Sequence, residues 1–542
     1  MHLRFYFIPL LVCLSALAGC RSSTDVTPHT VQDANTPPAT PATKDEISSP
    51  LKEEAPASGL TSTETPVPYQ PRFEPGDCQF SPSHISNISC GYVTVPENRD
   101  AADTREIRLH VAIASSYADE PEEDPLIFLS GGPGSYALEW LYWNLRNYTD
   151  ILKKRDVVFF DPRGVGFSEP SLDCPEVVES FQDMLDRPLE DGEFVDELVG
   201  AHLSCRNRLV GEGIDLSSYN SGEMAADVYD IRHALGYDNV NLLGISYGTR
   251  SALTLMRDFP EILRSVVLDS PVPLEANIIG SDAPNSDQAR KLLFERCAAD
   301  SQCNAAYPDL EAALDELFER LEENPITIPV THLGTGAAHQ VRVDGSILGA
   351  SIVEALYNSE TIVNLPKLIY DTLEAEDNNY ETLATSLEIY LFYGDYSSEG
   401  LRNSVLCSDE GSFSTLESSL SLTDSAHPAI AAFIKDDVEM VHRICENWGI
   451  GAVDPIENQP VVSDIPTLVL SGEFDPVTPP SWGQQAADNL SNSFFVQLPN
   501  LGHYVFSERS CARDIIADFI DNPSTDPDSS CSQFIALNFA TW

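Results

Sequence analysis

Apolar residues along the 542-residue chain fall into short blocks rather than long stripes. Runs rich in Val, Ile, Leu and Phe recur, each closed by Gly, Pro, Ser or Asp, which is the pattern of buried strands. They lie at 91–96, 107–114, 126–129, 157–160, 239–243, 265–268, 467–470 and 494–498. Elsewhere the apolar positions shift to three- and four-residue spacing, as at 249–256, 310–321 and 365–373. That spacing puts one apolar face on a helix. Strands alternating with helices predict an α/β fold on a mostly parallel, eight-stranded sheet. The long stretch of helical spacing between the sixth and seventh runs predicts a helical insertion, 272–456, after strand six. The core then consists of 73–271 and 457–542.

The beginning of the chain follows another pattern. Residues 5–18 are almost wholly apolar and run into Leu17-Ala18-Gly19-Cys20, which resembles a bacterial lipobox. The run is too short for a comfortable membrane span and ends in small residues, as export signals do. It implies removal of residues 1–19 and a lipid on Cys20. Acyl chains contribute about 0.8 kcal/mol per buried CH₂, so the lipid is the expected membrane partner. Arg21 stands where Asp is the usual inner-membrane retention mark. The expected location is therefore the periplasmic face of an outer membrane, or the cell surface. Residues 20–72 are rich in Thr, Pro, Ser, Ala and Glu. Such a segment cannot bury enough apolar surface to offset its ordering entropy and is expected to be a disordered tether.

Composition narrows the partners. Acidic residues number 85 against 31 Lys and Arg, a net charge of −54. A chain this negative repels phosphate backbones, which excludes a nucleic-acid partner. Hydrophobic residues at 42% supply a sizeable core and exclude global disorder. Of twelve cysteines, Cys13 leaves with the signal and Cys20 is lipidated, leaving ten. An even number in an exported chain points to disulfides, with the pairing formally open. Joining neighbours in order gives Cys78–Cys90, Cys174–Cys205, Cys297–Cys303, Cys407–Cys445 and Cys511–Cys531, with loops of 12, 31, 6, 38 and 20 residues. There is no Cys-x-x-Cys, and apart from His442 near Cys445 no His lies near a Cys pair at finger spacing, so neither a metal nor another cofactor is expected.

Gly244-Ile245-Ser246-Tyr247-Gly248 is the one Gly-x-Ser-x-Gly in the chain. It sits between an apolar strand and a helical pattern, the context a nucleophile elbow requires. A serine nucleophile needs a base, and the base needs an orienting acid. Asp475 follows the seventh strand and His503 the eighth, so the order is Ser, Asp, His. Asp269, at the end of strand six, is the competing acid, and Thr478 is placed to steady the Asp475 loop. The oxyanion donors are expected to be the Tyr247 amide and an amide of Gly131-Gly132-Pro133-Gly134, with Gly132 preferred to Gly131.

Together these motifs carry a resemblance. Ser130-Gly131-Gly132-Pro133-Gly134-Ser135, Asp161-Pro162-Arg163-Gly164-Val165-Gly166-Phe167-Ser168, the elbow, Gly472-Glu473-Phe474-Asp475-Pro476-Val477-Thr478-Pro479 and Gly502-His503 resemble the proline iminopeptidase and tripeptidyl aminopeptidase group of α/β-hydrolases. Cys445, Trp448, Cys511 and Cys531 look like the secreted tripeptidyl aminopeptidase branch. The likeness spans about 75–535 and implies the α/β-hydrolase fold with a helical lid inserted after strand six, 272–456, and a serine aminopeptidase acting on peptides. Two departures bear on substrate: Ser130 replaces the usual His, and Asp-Pro-Arg replaces Asp-Gln-Arg. A carboxylesterase on the same scaffold is the alternative, since one triad serves both. An aminopeptidase must bind an ammonium beside the scissile bond, and a carboxylate is its natural partner. Asp409, Glu410 and Glu446, beside Cys407 and Cys445, are the expected candidates; a Cys-x-Asp in secreted relatives favours Asp409. Released peptide length, residue preference and oligomeric state have no signal in the sequence.

Overall fold

The computed structural model describes residues 69–80, 87–139, 141–185, 187, 189, 192–332, 335–375, 379–391 and 397–541. The expected signal segment, Cys20 and nearly all of the expected tether lie outside the described residues. The strands are β1 (Arg72–Gly76), β2 (Ile88–Pro96), β3 (Glu106–Ala114), β4 (Leu126–Leu129), β5 (Val157–Phe160), β6 (Val240–Ile245), β7 (Leu263–Asp269), β8 (Ile326–Thr331), β9 (Ala338–Val343), β10 (Thr467–Gly472) and β11 (Ser493–Leu498). The helices that frame the site are α1 (Ser221–Leu235), α2 (Tyr247–Asp258), α3 (Asp282–Ala299), α4 (Gly345–Tyr357), α5 (Pro428–Trp448) and α6 (Ser510–Asp521).

Among the described residues nine strands form one sheet, in the order β1-β2-β3-β5-β4-β6-β7-β10-β11. The first three pairings are antiparallel, and every pairing from β5 to β11 is parallel. β5, β6 and β10 are buried at every position. Neighbouring residues on one strand enter cores on opposite faces. Ile127, Leu242 and Val266 pack on one side, and Leu126, Leu243 and Val267 on the other. Coverage on both faces is why these strands read as continuous apolar runs instead of alternating ones. The chain passes from β4 to β5 on one side and returns to β6 on the other. The crevice at such a switch point is where parallel sheets bind ligands.

The eight-strand expectation needs one correction. The additional strand, β1, is a short edge of Arg-Phe-Glu-Pro-Gly with four of its five residues exposed, so it carries no apolar signal. The segment 272–456 is also not purely helical. β8 and β9 pair as an antiparallel hairpin whose alternating burial faces a helical core that includes Leu317, Ile352, Ile369 and Ile430. Five disulfides join the same neighbours: Cys78–Cys90, Cys174–Cys205, Cys297–Cys303, Cys407–Cys445 and Cys511–Cys531. Bridges of this number suit an oxidising, exported environment.

Candidate active site

β6 ends in a sharp turn that begins α2. Ser246 sits in it at φ 55°, ψ −125°, a conformation that L residues adopt only when their surroundings impose it. The surroundings here are tight on both sides. A Cβ at Gly244 would lie 2.5 Å from the Gly248 carbonyl oxygen, and one at Gly248 would lie 2.2 Å from that of Leu129. Both positions therefore require glycine. The Ser246 N–H donates to the Asp269 carbonyl (2.9 Å), and its own carbonyl accepts the Thr249 hydroxyl (2.5 Å). Within 240–250 Ser246 alone keeps partial solvent access.

The acid and base come from the next two strands. Asp475, in the loop after β10, accepts the Thr478 N–H (2.8 Å) and the Val477 N–H (3.1 Å) on Oδ1. Its Oδ2 accepts the Thr478 hydroxyl (2.7 Å) and the His503 Nδ1–H (2.8 Å). Both side chains are 1% exposed. This bond assigns the proton to Nδ1 and leaves Nε2 with a free lone pair. The His503 amide donates to the Tyr357 carbonyl at the end of α4 (2.8 Å), and the Tyr357 ring meets the imidazole edge-on at 5.3 Å. Asp269 does separate work. It accepts the Val505 and Phe506 N–H groups (3.2 and 2.9 Å), which ties the segment after His503 to the strand beside the elbow. Burial pushes the Asp269 carboxyl up to about 6.

The glycine loop after β4 closes over the elbow. A Cβ at Gly131 would lie 3.1 Å from Ser246 Cβ and 3.6 Å from Ser246 Oγ. Gly132 has φ +112°, and a Cβ there would meet the amide nitrogens of Gly134 and Ser135 at 2.7 and 2.8 Å. The loop is held from below by Asp161, which accepts the Ala137, Leu138 and Phe167 N–H groups at 2.9, 3.0 and 2.9 Å. Arg163 is equally buried and makes a two-pronged contact with Asp227 (2.7 Å on each arm). The Asp-Pro-Arg loop is therefore a brace between strand ends and α1.

The three carboxylates expected to meet an amine are not grouped on an open face. Asp409 and Glu410 are each 2% exposed, and Glu446 points to solvent. Asp409 accepts the Tyr247 hydroxyl (3.0 Å) and the Ser221 N–H (3.1 Å), and Glu410 pairs with Arg250 (2.8 Å). The Cys407–Cys445 bridge is in place, but it holds this pair behind the elbow, against α1 and α2.

Other acids border the site. Asp282 opens α3, whose Asn285 and Ser286 side chains donate to the carbonyls of Val477 and Pro476 (2.9 and 3.0 Å), on the Asp475 loop. Glu354 lies one turn before Tyr357 on α4. Both are deep among other residues yet keep partial solvent access. Burial pushes Asp282 up to about 7; Asp437 adds to the rise, while Arg402 and His503 oppose it. Burial alone pushes Glu354 up to about 7. Glu399 is 4% exposed, its Oε2 has no hydrogen-bond partner among the described residues, and it follows Ser398, which donates its N–H to the Gly134 carbonyl (2.9 Å). Nothing in the sequence singles these three out from 85 acidic residues.

Residues 124–510 match the family described as alpha/beta hydrolase fold. The serine protease Hip1 of Mycobacterium tuberculosis is 27% identical over 467 residues, covering 81% of this chain and 86% of that protein. A tripeptidyl aminopeptidase of Streptomyces coelicolor is 32% identical over 209 residues, covering 36% of this chain and 37% of that protein. A solved proline iminopeptidase from Mycobacterium smegmatis aligns over 80% of this chain and 98% of its own, with 15% identity and a TM-score of 0.37. Sheet order, strained elbow serine, buried Asp–His pair and a family match over most of the chain lead to one conclusion: this protein belongs to the α/β-hydrolase fold family.

Proposed function

We propose that the protein is an exported serine aminopeptidase that cleaves single residues or short units from peptide N-termini through an acyl-enzyme. The observation that carries the reading is the buried Asp475–His503 pair on the loops beside a positive-φ Ser246. Ser246 Oγ attacks the scissile carbonyl carbon, and His503 Nε2 takes the hydroxyl proton. Asp475 holds the ring and stabilises the imidazolium. The tetrahedral oxyanion receives the Tyr247 N–H and one from the glycine loop, Gly132 or, since it abuts Ser246, Gly131. The imidazolium proton then passes to the leaving amine as the C–N bond breaks. Water, deprotonated by His503, releases the acyl group and restores Ser246.

The acids that best suit the substrate's ammonium are Asp282, Glu354 and Glu399, not Asp409, Glu410 or Glu446. Burial alone raises Glu354, and an incoming cation would supply it a charge partner and favour its ionised form. The protease and aminopeptidase relatives support peptide substrates over simple esters. The segment 272–456, which provides all three acids, acts in this reading as the lid that sets substrate choice. Cys20 is proposed as the lipid anchor that keeps the enzyme at a membrane outside the cytoplasm.

Fluorophosphonate labelling followed by peptide mapping tests the chemistry. One adduct on Ser246, with loss of peptidyl-anilide turnover, is the expected result. Turnover of simple esters but of no free-amine peptidyl anilide supports the carboxylesterase reading instead. Replacing Cys20 with Ser is expected to move the protein from the detergent phase to the aqueous phase on partition.

A further inference from the structure

The residue after the nucleophile is held by its side chain as well as its backbone. Tyr247 is fully within the protein, and burial raises its hydroxyl far above the ordinary range, so it stays a donor. That hydroxyl donates to Asp409 Oδ2 (3.0 Å) and lies 2.5 Å from Ser221 Oγ. The Ser221 N–H donates to the same Asp409 oxygen (3.1 Å), and the Ser408 hydroxyl donates to the other (2.8 Å). Asp409 lies in a π-helical turn, Leu406–Glu410, an uncommon form that recurs at functional sites. Two further ties bind this turn to α2. Arg250 Nη1 meets Glu410 Oε1 at 2.8 Å, and Arg250 Nη2 donates to the Asp409 carbonyl at 3.3 Å. Cys407, two residues before Asp409, is bridged to Cys445 on α5.

We infer that Asp409 is a positioning residue that fixes Tyr247, and with it the main-chain N–H that follows Ser246. The inserted segment thus reaches behind the sheet's elbow and helps build the oxyanion site, in addition to covering it. The buried carboxylate has no role in the ammonium contact proposed above. This inference rests on the serine-hydrolase reading. A buried acid at this spot costs desolvation, and three hydrogen bonds from Tyr247, Ser221 and Ser408 offset that cost. Losing one oxyanion donor costs about 10²–10³ in kcat, and a small displacement of catalytic geometry costs on the order of 10².

Three variants test it, with the full chain and one good peptidyl-anilide substrate. Tyr247→Phe removes one buried oxygen and keeps the ring, so it is expected to fold. Asp409→Ala removes the acceptor, and Asp409→Asn restores it through Oδ1. Tyr247→Phe and Asp409→Ala are expected to lower kcat by about 10²-fold, with KM changed less than about threefold. Affinity for a peptide aldehyde, which forms the oxyanion, should fall with kcat, while affinity for the product peptide stays constant. Asp409→Asn should recover most of the loss. A folded Tyr247→Phe with unchanged kcat and aldehyde affinity overturns the inference. Equal losses in aldehyde and product affinity also overturn it, since they report general damage to the cleft. If wild-type Ser246 takes no fluorophosphonate, the hydrolase reading itself fails, and that control is independent of all three variants.

Discussion

His503 Nδ1 lies 2.8 Å from Asp475 Oδ2, a direct contact between two residues that are each 1% exposed. Asp269 stands close by, but its oxygens receive the Val505 and Phe506 amides. The two acids therefore have different roles. Asp475→Asn should leave substrate binding largely intact and cost on the order of 10⁴ in kcat, as the wrong tautomer is favoured. Asp269→Asn should cost far less in kcat and show mainly as lower thermal stability. Steady-state kinetics of the two variants decide it. Near-full activity in Asp475→Asn, with inactivity in Asp269→Asn, reverses the assignment.

Elbow geometry yields a second test. A Cβ at Gly248 would sit 2.2 Å from the Leu129 carbonyl oxygen, which is backbone and cannot swing aside. Gly248→Ala should force the elbow away from β4 and lose the fluorophosphonate adduct. By contrast, among the described residues no atom beyond its own helix backbone and chain neighbours lies within 4 Å of a Cβ built at Gly200, and Gly200→Ala should label normally. Adduct yield measured by mass spectrometry compares them.

Two carboxyls that border the site predict an unusual pH response. Asp282 and Glu354 are raised from ordinary carboxyl values to about 7. Between the unfolded and folded values the native state binds the extra protons, so these groups lower stability as pH rises through that window. Asp282→Asn and Glu354→Gln remove the penalty. Each variant should gain melting temperature relative to wild type at pH 8 and lose that advantage near pH 4. A difference that does not vary with pH contradicts burial as the cause. The same titration should raise KM for free-amine substrates as pH falls below about 7, because protonated carboxyls bind an ammonium poorly.

The Cys511–Cys531 bridge closes 20 residues and fastens α6. Cys511 packs in the same core as Val505 and Phe506, directly after His503. A loop of this size contributes about 3 kcal/mol in the chain-entropy model. Replacing both cysteines by serine should lower unfolding free energy by roughly that amount, as read by denaturant titration. An unchanged denaturation midpoint argues that the bridge carries no stability.

Much of this arrangement was legible from residue pattern. Central strands such as 126–129 and 157–160 announce themselves because burial on both faces demands unbroken apolar runs. Ser246, Asp475 and His503 were placed by strand ends and motif order alone. β1 escaped because an exposed edge strand needs no apolar residues. The β8–β9 hairpin escaped because a short amphipathic strand pair inside a helical stretch resembles helix ends and loops. Asp409 shows the deeper limit. Its neighbours in sequence placed it near the site, but only the fold reveals that it faces Tyr247 from behind. Asp282, Glu354 and Glu399 come from separate segments, and no local pattern joins them.

If Ser246 serves an aminopeptidase, the acids that border the site read the substrate's free amine. The ratio of kcat/KM for one tripeptidyl anilide with a free and an acetylated N-terminus tests this, measured in wild type and in Asp282→Asn/Glu354→Gln/Glu399→Gln. A wild-type preference for the free amine of at least about tenfold, equivalent to about 1.4 kcal/mol, is expected, falling toward unity in the triple variant. An enzyme indifferent to acetylation, or a preference unchanged by the triple substitution, contradicts the aminopeptidase reading.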